Sequence, residues 1–462
     1  VFPEHVFRMY DIRGRAPEEI SEPLAEAVGR ALGTRIVRAG GEDAAIGRDV
    51  RHTSPALCAA AARGLASTGL AVRDLGQVPT PVLYHALHRL GLGGGIMVTG
   101  SHNPRGDNGL KLCLGTTSIH GEQIASLRAQ IADGDVVTGT GRVEPLDHLP
   151  RYLDELTGLF SFARPLRVVI DTGNGVMGPV AVPALEALGV EVVALCAEPD
   201  GDFPNHVPDP EVPAYMQQLG RTVVERGAAC GLGFDGDGDR VGVFDERGRK
   251  VSADWLIAVL ARALLEEHPG GVVRFDVKCS DVLAEQVRAA GGRPVMGSTG
   301  HSLLKRDVAR LDAILGGELS GHIVFGRGYL PIDDSLYCAL KLLERLDRSG
   351  GPASALFADV PRRVSTAEIK VPCPDADKFD VVAALVERFE RDHEVLAIDG
   401  ARVTLGDGAW FLVRASNTTP NLTVRLEART HEALAEARER LESALAEHPA
   451  VDPSPLAEVE TA

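Results

Sequence analysis

The 462-residue chain has no C-x-x-C pair, no surplus of positive charge and no apolar stretch approaching the ~20 residues that span a bilayer. Each absence removes a class of function. The seven cysteines (Cys58, Cys113, Cys196, Cys230, Cys279, Cys338 and Cys373) are scattered and odd in number. That argues against a disulfide framework or a clustered zinc site and fits reduced thiols in a cytoplasmic protein. The opening VFPEHVFRMYDIRGR is charged throughout and lacks the apolar core of a signal peptide, so no secretion and no membrane association is expected. Lys and Arg number 48 against 65 Asp and Glu, a net charge of −17. Such a chain is a poor general binder of nucleic acid or anionic membrane, both of which need a basic surface. An anionic substrate would require cations gathered locally, against the overall field.

What is present is ample core material, 44% hydrophobic residues with 24% charged, in a length that suits two to four domains. Apolar, β-branched runs alternate with Ala/Leu-rich helical stretches, the α/β signature. The alternation recurs three times. AAIGRD, then the helix SPALCAAAARGLASTGL closed at Gly69, then AVRDLG, lead to GGIMV and Ser101. LRVVIDTGNG, PALEALG and VEVVALC lead to CGLGF and DGDGDR; VVRFDVKCS, VLAEQVRAAGG and RPVMGSTG lead to DAILGG and ELSGH. First and last loops of each unit stand roughly 50 residues apart, a loose internal repeat. Since open α/β sheets bind ligands beyond the carboxyl ends of their strands, each unit is expected to offer one loop to a shared central cleft. The last hundred or so residues read differently: VTLGDGAWFLVRASNTTPNLTVRLEA as strand, turn, strand, loop, strand, and HEALAEARERLESALAE as an amphipathic helix. This is a smaller α+β domain, with HPAVDPSPLAEVETA expected to be a frayed tail.

The loops carry the chemistry. In TGSHNP, Ser101 follows an apolar strand at once; a turn explains the composition, and a nucleophile or a covalently loaded serine explains the placement. DGDGDR puts carboxylates on Asp235, Asp237 and Asp239, with glycines that let the backbone curl and the oxygens converge. As a plain acidic turn they would repel one another; a Mg²⁺ ion, which favours carboxylate oxygens, relieves this. Calcium fits less well, because Arg240 and Val241 occupy middle ligand positions of an EF-hand pattern. GGELSGH sets Glu318, Ser320 and His322 on alternate positions, where the first two suit a grip on sugar hydroxyls and the third can move protons near neutral pH. RASNTTP offers Arg414, Ser416, Asn417 and Thr418 as a phosphate cradle, with a capped turn as the alternative. Arg13, Lys111, Lys278 and His301 stand beside strand ends or glycine loops and supply candidates for the local cation cluster.

MYDIRG, TGSHNP, DNGLKL, DGDGDR, GSTGHS, GGELSGH and RASNTTP occur together and in this order. The set resembles the α-D-phosphohexomutase superfamily and is most similar to its bacterial phosphomannomutase/phosphoglucomutase branch. The resemblance implies three tandem related mixed α/β domains and a smaller C-terminal α+β domain with an antiparallel sheet, around a central cleft. The expected division is a phosphoserine-loop domain at 1–150, a metal-binding domain at 151–254, a sugar-recognition domain at 255–362 and a C-terminal phosphate-binding domain at 363–462. It further implies that Ser101 carries a phosphoryl group, with one of its oxygens joining Asp235, Asp237 and Asp239 around Mg²⁺. Glu318 and Ser320 would read the sugar, and Arg414, Ser416, Asn417 and Thr418 would hold the phosphate not being transferred. Arg13, Lys111 and His322 are the candidates for proton handling, unranked, with His102, Arg240, Lys278 and His301 as further contributors.

The implied reaction exchanges a phosphoryl group between the 1- and 6-positions of mannose or glucose phosphate, through a hexose 1,6-bisphosphate that also serves as activator. Hexose phosphates would be the partners, with the chain a monomer or weak homo-oligomer. The sister branch, phosphoglucosamine mutases, usually resembles GTDGIRG, ASHNP, GEQSGH and RxSGTEP; at all four places this chain follows the mannose/glucose form, with Leu319 in place of a common Met. A Mg²⁺-dependent phosphatase and a non-catalytic sugar-phosphate sensor are the rival readings.

Overall fold

A computed structural model describes residues 2–416 and 419–457. The backbone falls into two compact units, one of Val1–His268 with Gly300–Ala358 and one of Pro269–Thr299 with Asp359–Ala462.

The first unit contains two twisted sheets. In one, strands Gly94–Val98, Asp43–Arg48, Ala71–Gln77 and Arg142–Pro145 run parallel, and Asp107–Leu114 and Ile12–Arg15 add antiparallel at the other edge. Gly94–Val98 is buried along its whole length, as a strand covered on both faces must be. Helices Glu22–Arg38 and Ser54–Ala66 pack against each other and on this sheet, enclosing a core that includes Leu24, Val28, Leu32, Leu57, Leu65 and Ile96. The first helix starts at Ser21, whose hydroxyl accepts from Leu24 N, with Pro23 in the first turn where its missing N–H costs nothing. The second stops at Ala66, three residues before Gly69, because Ser67 and Thr68 turn their hydroxyls back onto the Gly64 and Leu65 carbonyls.

In the other sheet, Glu191–Leu195, Arg167–Asp171 and Cys230–Phe234 are parallel, and Val241–Phe244 and Lys250–Val251 return antiparallel. Cys230–Phe234 is again fully buried. A hairpin of Leu315–Gly317 and Ile323–Phe325 and the helix Ser335–Ser349, capped by the Asp334 carboxylate on Tyr337 N at 3.0 Å, belong to the same unit. Two of the three repeats read in the sequence therefore lie whole in this unit. The third is divided: its terminal strand is here, and its opening strand–helix–strand, Val272–Asp276, Asp281–Ala289 and Arg293–Gly297, is in the second unit.

The second unit also holds an antiparallel sheet in the order Val364–Ser365, Asn421–Ala428, Ala409–Ala415, Ala401–Gly406, Glu394–Leu396, with Ile369–Pro372 also on Asn421–Ala428. Helices Lys378–Phe389 and His431–Leu445 cover it. The expected frayed tail is a correction. Val451 and Leu456 are buried in this core, Leu456 completely, and residues 454–456 form a short 3-10 turn; only the stretch from 458 lies outside the described residues. Apolar side chains at two positions of a proline-rich stretch, with Asp452 N donating to the Pro372 carbonyl at 3.3 Å, dock it. Leu456→Ala should cost the second unit about 2–4 kcal/mol, read as an earlier urea transition; an unchanged midpoint would show that the tail does not pack.

Candidate active site

Two fully buried strands of the first unit, Gly94–Val98 and Cys230–Phe234, end in two loops singled out by their chemistry. Ser101 comes three residues after Val98, and Asp235 directly after Phe234. Ser101 is 2% exposed, and its backbone is left-handed at φ 49°. That conformation is uncommon for a residue with a Cβ and costs of order 1–3 kcal/mol. It is held from several sides. Ser101 N donates to Thr99 Oγ1 at 2.8 Å, and the Ser101 carbonyl accepts from Arg51 Nη2 at 3.0 Å. Ser101 Oγ donates to Asp235 Oδ2 at 2.8 Å and lies 3.1 Å from His102 Nδ1. The glycines of DGDGDR make this approach possible. A Cβ on Gly236 would come within 2.4 Å of the Ser101 carbonyl, and Gly238 takes φ 76°.

Asp235, Asp237 and Asp239 are wholly buried, and ligand oxygens of the three lie within 4.8 Å of one another. Lys111, from strand Asp107–Leu114, donates to Asp237 Oδ2 at 2.6 Å and to Asp239 Oδ2 at 2.5 Å. Thr80 Oγ1 donates to Asp237 Oδ2 at 2.6 Å. Asp235 Oδ1 accepts from the backbone N–H groups of Gly238, Asp239 and Arg240. Burial acts to lower the Lys111 ammonium, but the surrounding carboxylates outweigh it and lift its pKa well above the ordinary lysine range. Asp235 is raised as well, in its case toward the neutral form: burial and the charges of Asp237 and Asp239 push it well above the usual carboxylate range. Asp237 Oδ1 is buried with no hydrogen-bond partner. Three carboxylates against one ammonium, with an oxygen left over, fit a divalent cation with hard-oxygen ligands.

His322 joins this cluster to the hairpin. Its Nδ1 is 3.0 Å from Glu318 Oε2 and its Nε2 is 3.2 Å from Asp239 Oδ1. Burial acts to lower its pKa, but Asp239 and Glu318 raise it to about 9. Ser320 Oγ donates to Glu318 Oε2 at 3.2 Å, and Glu318 Oε1 accepts from Gly300 N at 2.5 Å. His301 stacks on His322 with ring centroids 5.5 Å apart. Arg240 Nε lies 3.3 Å from His322 Nε2, and Arg13 Nη1 donates to Asn103 Oδ1 at 3.0 Å in the Ser101 loop. His102 is pushed well below the ordinary histidine range, by burial first and then by Arg240 and Arg13. So Ser101, His102, Lys111, Asp235, Asp237, Asp239, Arg240, His301, Glu318, Ser320, His322 and Arg13 come together in the first unit.

The remaining residues belong to the second unit. Lys278 Nζ donates to Glu368 Oε1 at 2.5 Å, and Arg414 Nη2 donates to Asp399 Oδ1 at 3.3 Å. Glu368 falls to about 2: burial acts to raise it, and Lys278, Lys370 and Arg414 outweigh that. These three cations therefore share one local field. Ser416 Oγ is 2.8 Å from Thr419 Oγ1, and the Lys378 ammonium donates to the Ser416 carbonyl at 2.6 Å. Asn417 and Thr418 lie outside the described residues.

Three groups escaped the sequence reading. Arg51 is 1% exposed, and its guanidinium donates to the carbonyls of Ser101, Asn103, Pro104 and Asp107 and to Asp49 Oδ2. Asp333 holds Lys305 Nζ at 2.8 Å and pairs with His301 at 3.4 Å. Tyr84 carries the Lys305 ammonium over its ring at 4.0 Å. Arg51 sits in RDVRHTSP, immediately after a strand, which was the one available cue.

Four family models, described as phosphoglucomutase/phosphomannomutase alpha/beta/alpha domains I, II and III and C-terminal domain, match residues 4–137, 150–248, 252–364 and 368–444. Consecutive α/β domains followed by an antiparallel C-terminal sheet are the mark of the α-D-phosphohexomutases. The chain belongs to the phosphoglucomutase/phosphomannomutase family. It is 41% identical to a phosphomannomutase/phosphoglucomutase of Pseudomonas aeruginosa, over 94% of this chain and 93% of that one. It is 38% identical to a phosphoglucomutase of Neisseria gonorrhoeae, over 96% and 97%. The crystal structure of a phosphoglucomutase/phosphomannomutase family protein from Burkholderia thailandensis superposes with a TM-score of 0.91 at 38% identity, covering 98% of this chain and 99% of that one. No helix among the described residues is long and apolar enough to cross a membrane.

Arg51→Lys keeps one charge but loses the fork that reaches four carbonyls. The loop around the exposed Arg105 should then be nicked by trypsin at least several-fold faster than in the parent chain, at unchanged rates elsewhere. Equal rates would mean that Arg51 does not hold the loop.

Proposed function

We propose that the chain moves a phosphoryl group between the 1- and 6-positions of a hexose phosphate, with mannose or glucose as the hexose. One observation carries the reading: Ser101 Oγ donates to Asp235 in a buried cluster whose other carboxylates bind Lys111 and, through His322, reach Glu318 and Ser320. A nucleophile, a cation-binding set and a sugar-reading pair are thus one connected network.

On this reading Ser101 carries the phosphoryl group between half-reactions. The Oγ–P bond breaks as the free hydroxyl of the hexose monophosphate bonds to phosphorus, giving a hexose 1,6-bisphosphate. The second half-reaction returns the other phosphoryl to Ser101. Phosphoryl transfer needs alignment and charge stabilisation above all. Mg²⁺ held by Asp235, Asp237 and Asp239 would offset charge on the transferring oxygens. Lys111, locked between two carboxylates and held charged, is an electrostatic group rather than a base. Of the three candidates for proton handling, we assign the role to His322, which bridges Asp239 and Glu318 and is held protonated between them, as a proton donor. Glu318 and Ser320 orient sugar hydroxyls, while Arg414, Ser416 and Lys278 supply phosphate-binding groups, with Asn417 and Thr418 proposed beside them.

³¹P NMR with Mg²⁺ and a trace of glucose 1,6-bisphosphate tests this. Glucose 1-phosphate and mannose 1-phosphate should become 6-phosphates without release of inorganic phosphate. Preference for glucosamine 1-phosphate would move the chain to the sister branch; inorganic phosphate alone would make it a phosphatase, and no reaction a sensor. Ser101→Ala should remove all but a trace of turnover while the thermal transition stays near that of the parent, and substantial residual activity would end the phosphoserine reading. Asp237→Asn should slow transfer at least a hundredfold and shift the Mg²⁺ response; an unchanged metal titration would remove this loop from the metal site.

A further inference from the structure

A second donor set lies in the first unit, on segments the reaction does not use. Asp171 closes strand Arg167–Asp171, Cys196 follows strand Glu191–Leu195, and His206 lies on the loop beyond it. Ligand atoms of the three lie within 4.8 Å of one another. His206 Nε2 is 3.2 Å from both Asp171 oxygens and 4.0 Å from Cys196 Sγ. Its other nitrogen, Nδ1, donates to the Val207 carbonyl at 2.9 Å. This is the way metal-binding histidines are oriented: one nitrogen anchored on a carbonyl, the other aimed at the ion. The ring is further fixed by stacking on Tyr215, centroids 5.8 Å apart at 14°. Cys196 takes a left-handed backbone, φ 49°, and the Thr172 hydroxyl and Asn174 N–H both donate to its carbonyl. Of the seven cysteines it is the one that is not buried.

Around a tetrahedral ion with Zn–N and Zn–O near 2.0 Å and Zn–S near 2.3 Å, the N–O and N–S separations are about 3.3 and 3.6 Å. The observed 3.2 and 4.0 Å need only a small movement of the thiol. The donors also differ in kind from the acidic loop: thiolate and imidazole select zinc-like ions, whereas Mg²⁺ takes oxygen.

We propose that Asp171, Cys196 and His206 form a three-ligand site for a zinc-like divalent cation, with water completing the shell. On binding, the thiol proton and any proton on Nε2 leave to solvent, and bonds from Sγ, Nε2 and a carboxylate oxygen form. The ion would pin both ends of the 196–206 segment. Within that segment Phe203 lies against the Arg51 guanidinium, 5.1 Å from ring centroid to Cζ, and Arg51 in turn holds the Ser101 loop. The site is thus a clamp on the support of the nucleophile, and it stands whether or not the proposed reaction is right.

Titration of the full chain with Co²⁺ in excess Mg²⁺ tests it. One equivalent should develop a thiolate-to-cobalt charge-transfer band, which Zn²⁺ removes. Cys196→Ser should abolish the band, and His206→Asn should weaken binding at least tenfold. In the unaltered chain, Zn²⁺ should slow iodoacetamide labelling of Cys196 at least tenfold, read by peptide mass spectrometry. No band, a band that survives Cys196→Ser, or labelling indifferent to Zn²⁺ would overturn the site.

Discussion

The Lys111 ammonium, set between Asp237 and Asp239, is the constraint around which the first unit's site is organised. Three buried carboxylates beside one another are costly unless cations neutralise them, since each desolvated charge loses several kcal/mol of hydration. One lysine from a neighbouring sheet meets part of that demand and anchors the acidic loop to strand Asp107–Leu114. The rest explains why His322 and Arg240 are drawn in and why the oxygens of this loop suit a divalent ion. With a net charge of −17 the overall field repels anions, and the cations gathered here offset it locally.

Much of this was legible in the chain. The apolar runs GGIMV and CGLGF read as strands because both faces are covered, and the polar loops after them read as sites because strand ends are where α/β sheets expose their chemistry. Alternation in ELSGH correctly placed Glu318, Ser320 and His322 in mutual reach. The α/β class was legible in the alternation of strand and helix patterns, and the antiparallel last sheet was what the resemblance carried by the motif order implied.

What stayed hidden depends on long-range geometry. Arg51 looks like any arginine in a polar loop, yet four carbonyls from residues 101–107 turn it into a buried strut. Asp333, Lys305 and Tyr84 come from three separate elements, and no local pattern announces their stack on the His301 side. The tail misled for the opposite reason: proline and acidic residues outweigh two apolar positions in composition, but Val451 and Leu456 are buried in the core and Asp452 N donates to the Pro372 carbonyl. The division of the third repeat between units likewise depends on packing, which periodicity does not record.

Arg51 has an evolutionary consequence as well. Its guanidinium reads main-chain carbonyls, so it recognises the path of the nucleophile loop and is indifferent to most of the side chains on it. Positions such as Pro104 and Arg105, whose side chains are exposed, are therefore free to drift in sequence while the serine keeps its strained conformation. Exposed positions of the loop can change without rebuilding the support of its reactive centre, part of which is an arginine fifty positions away.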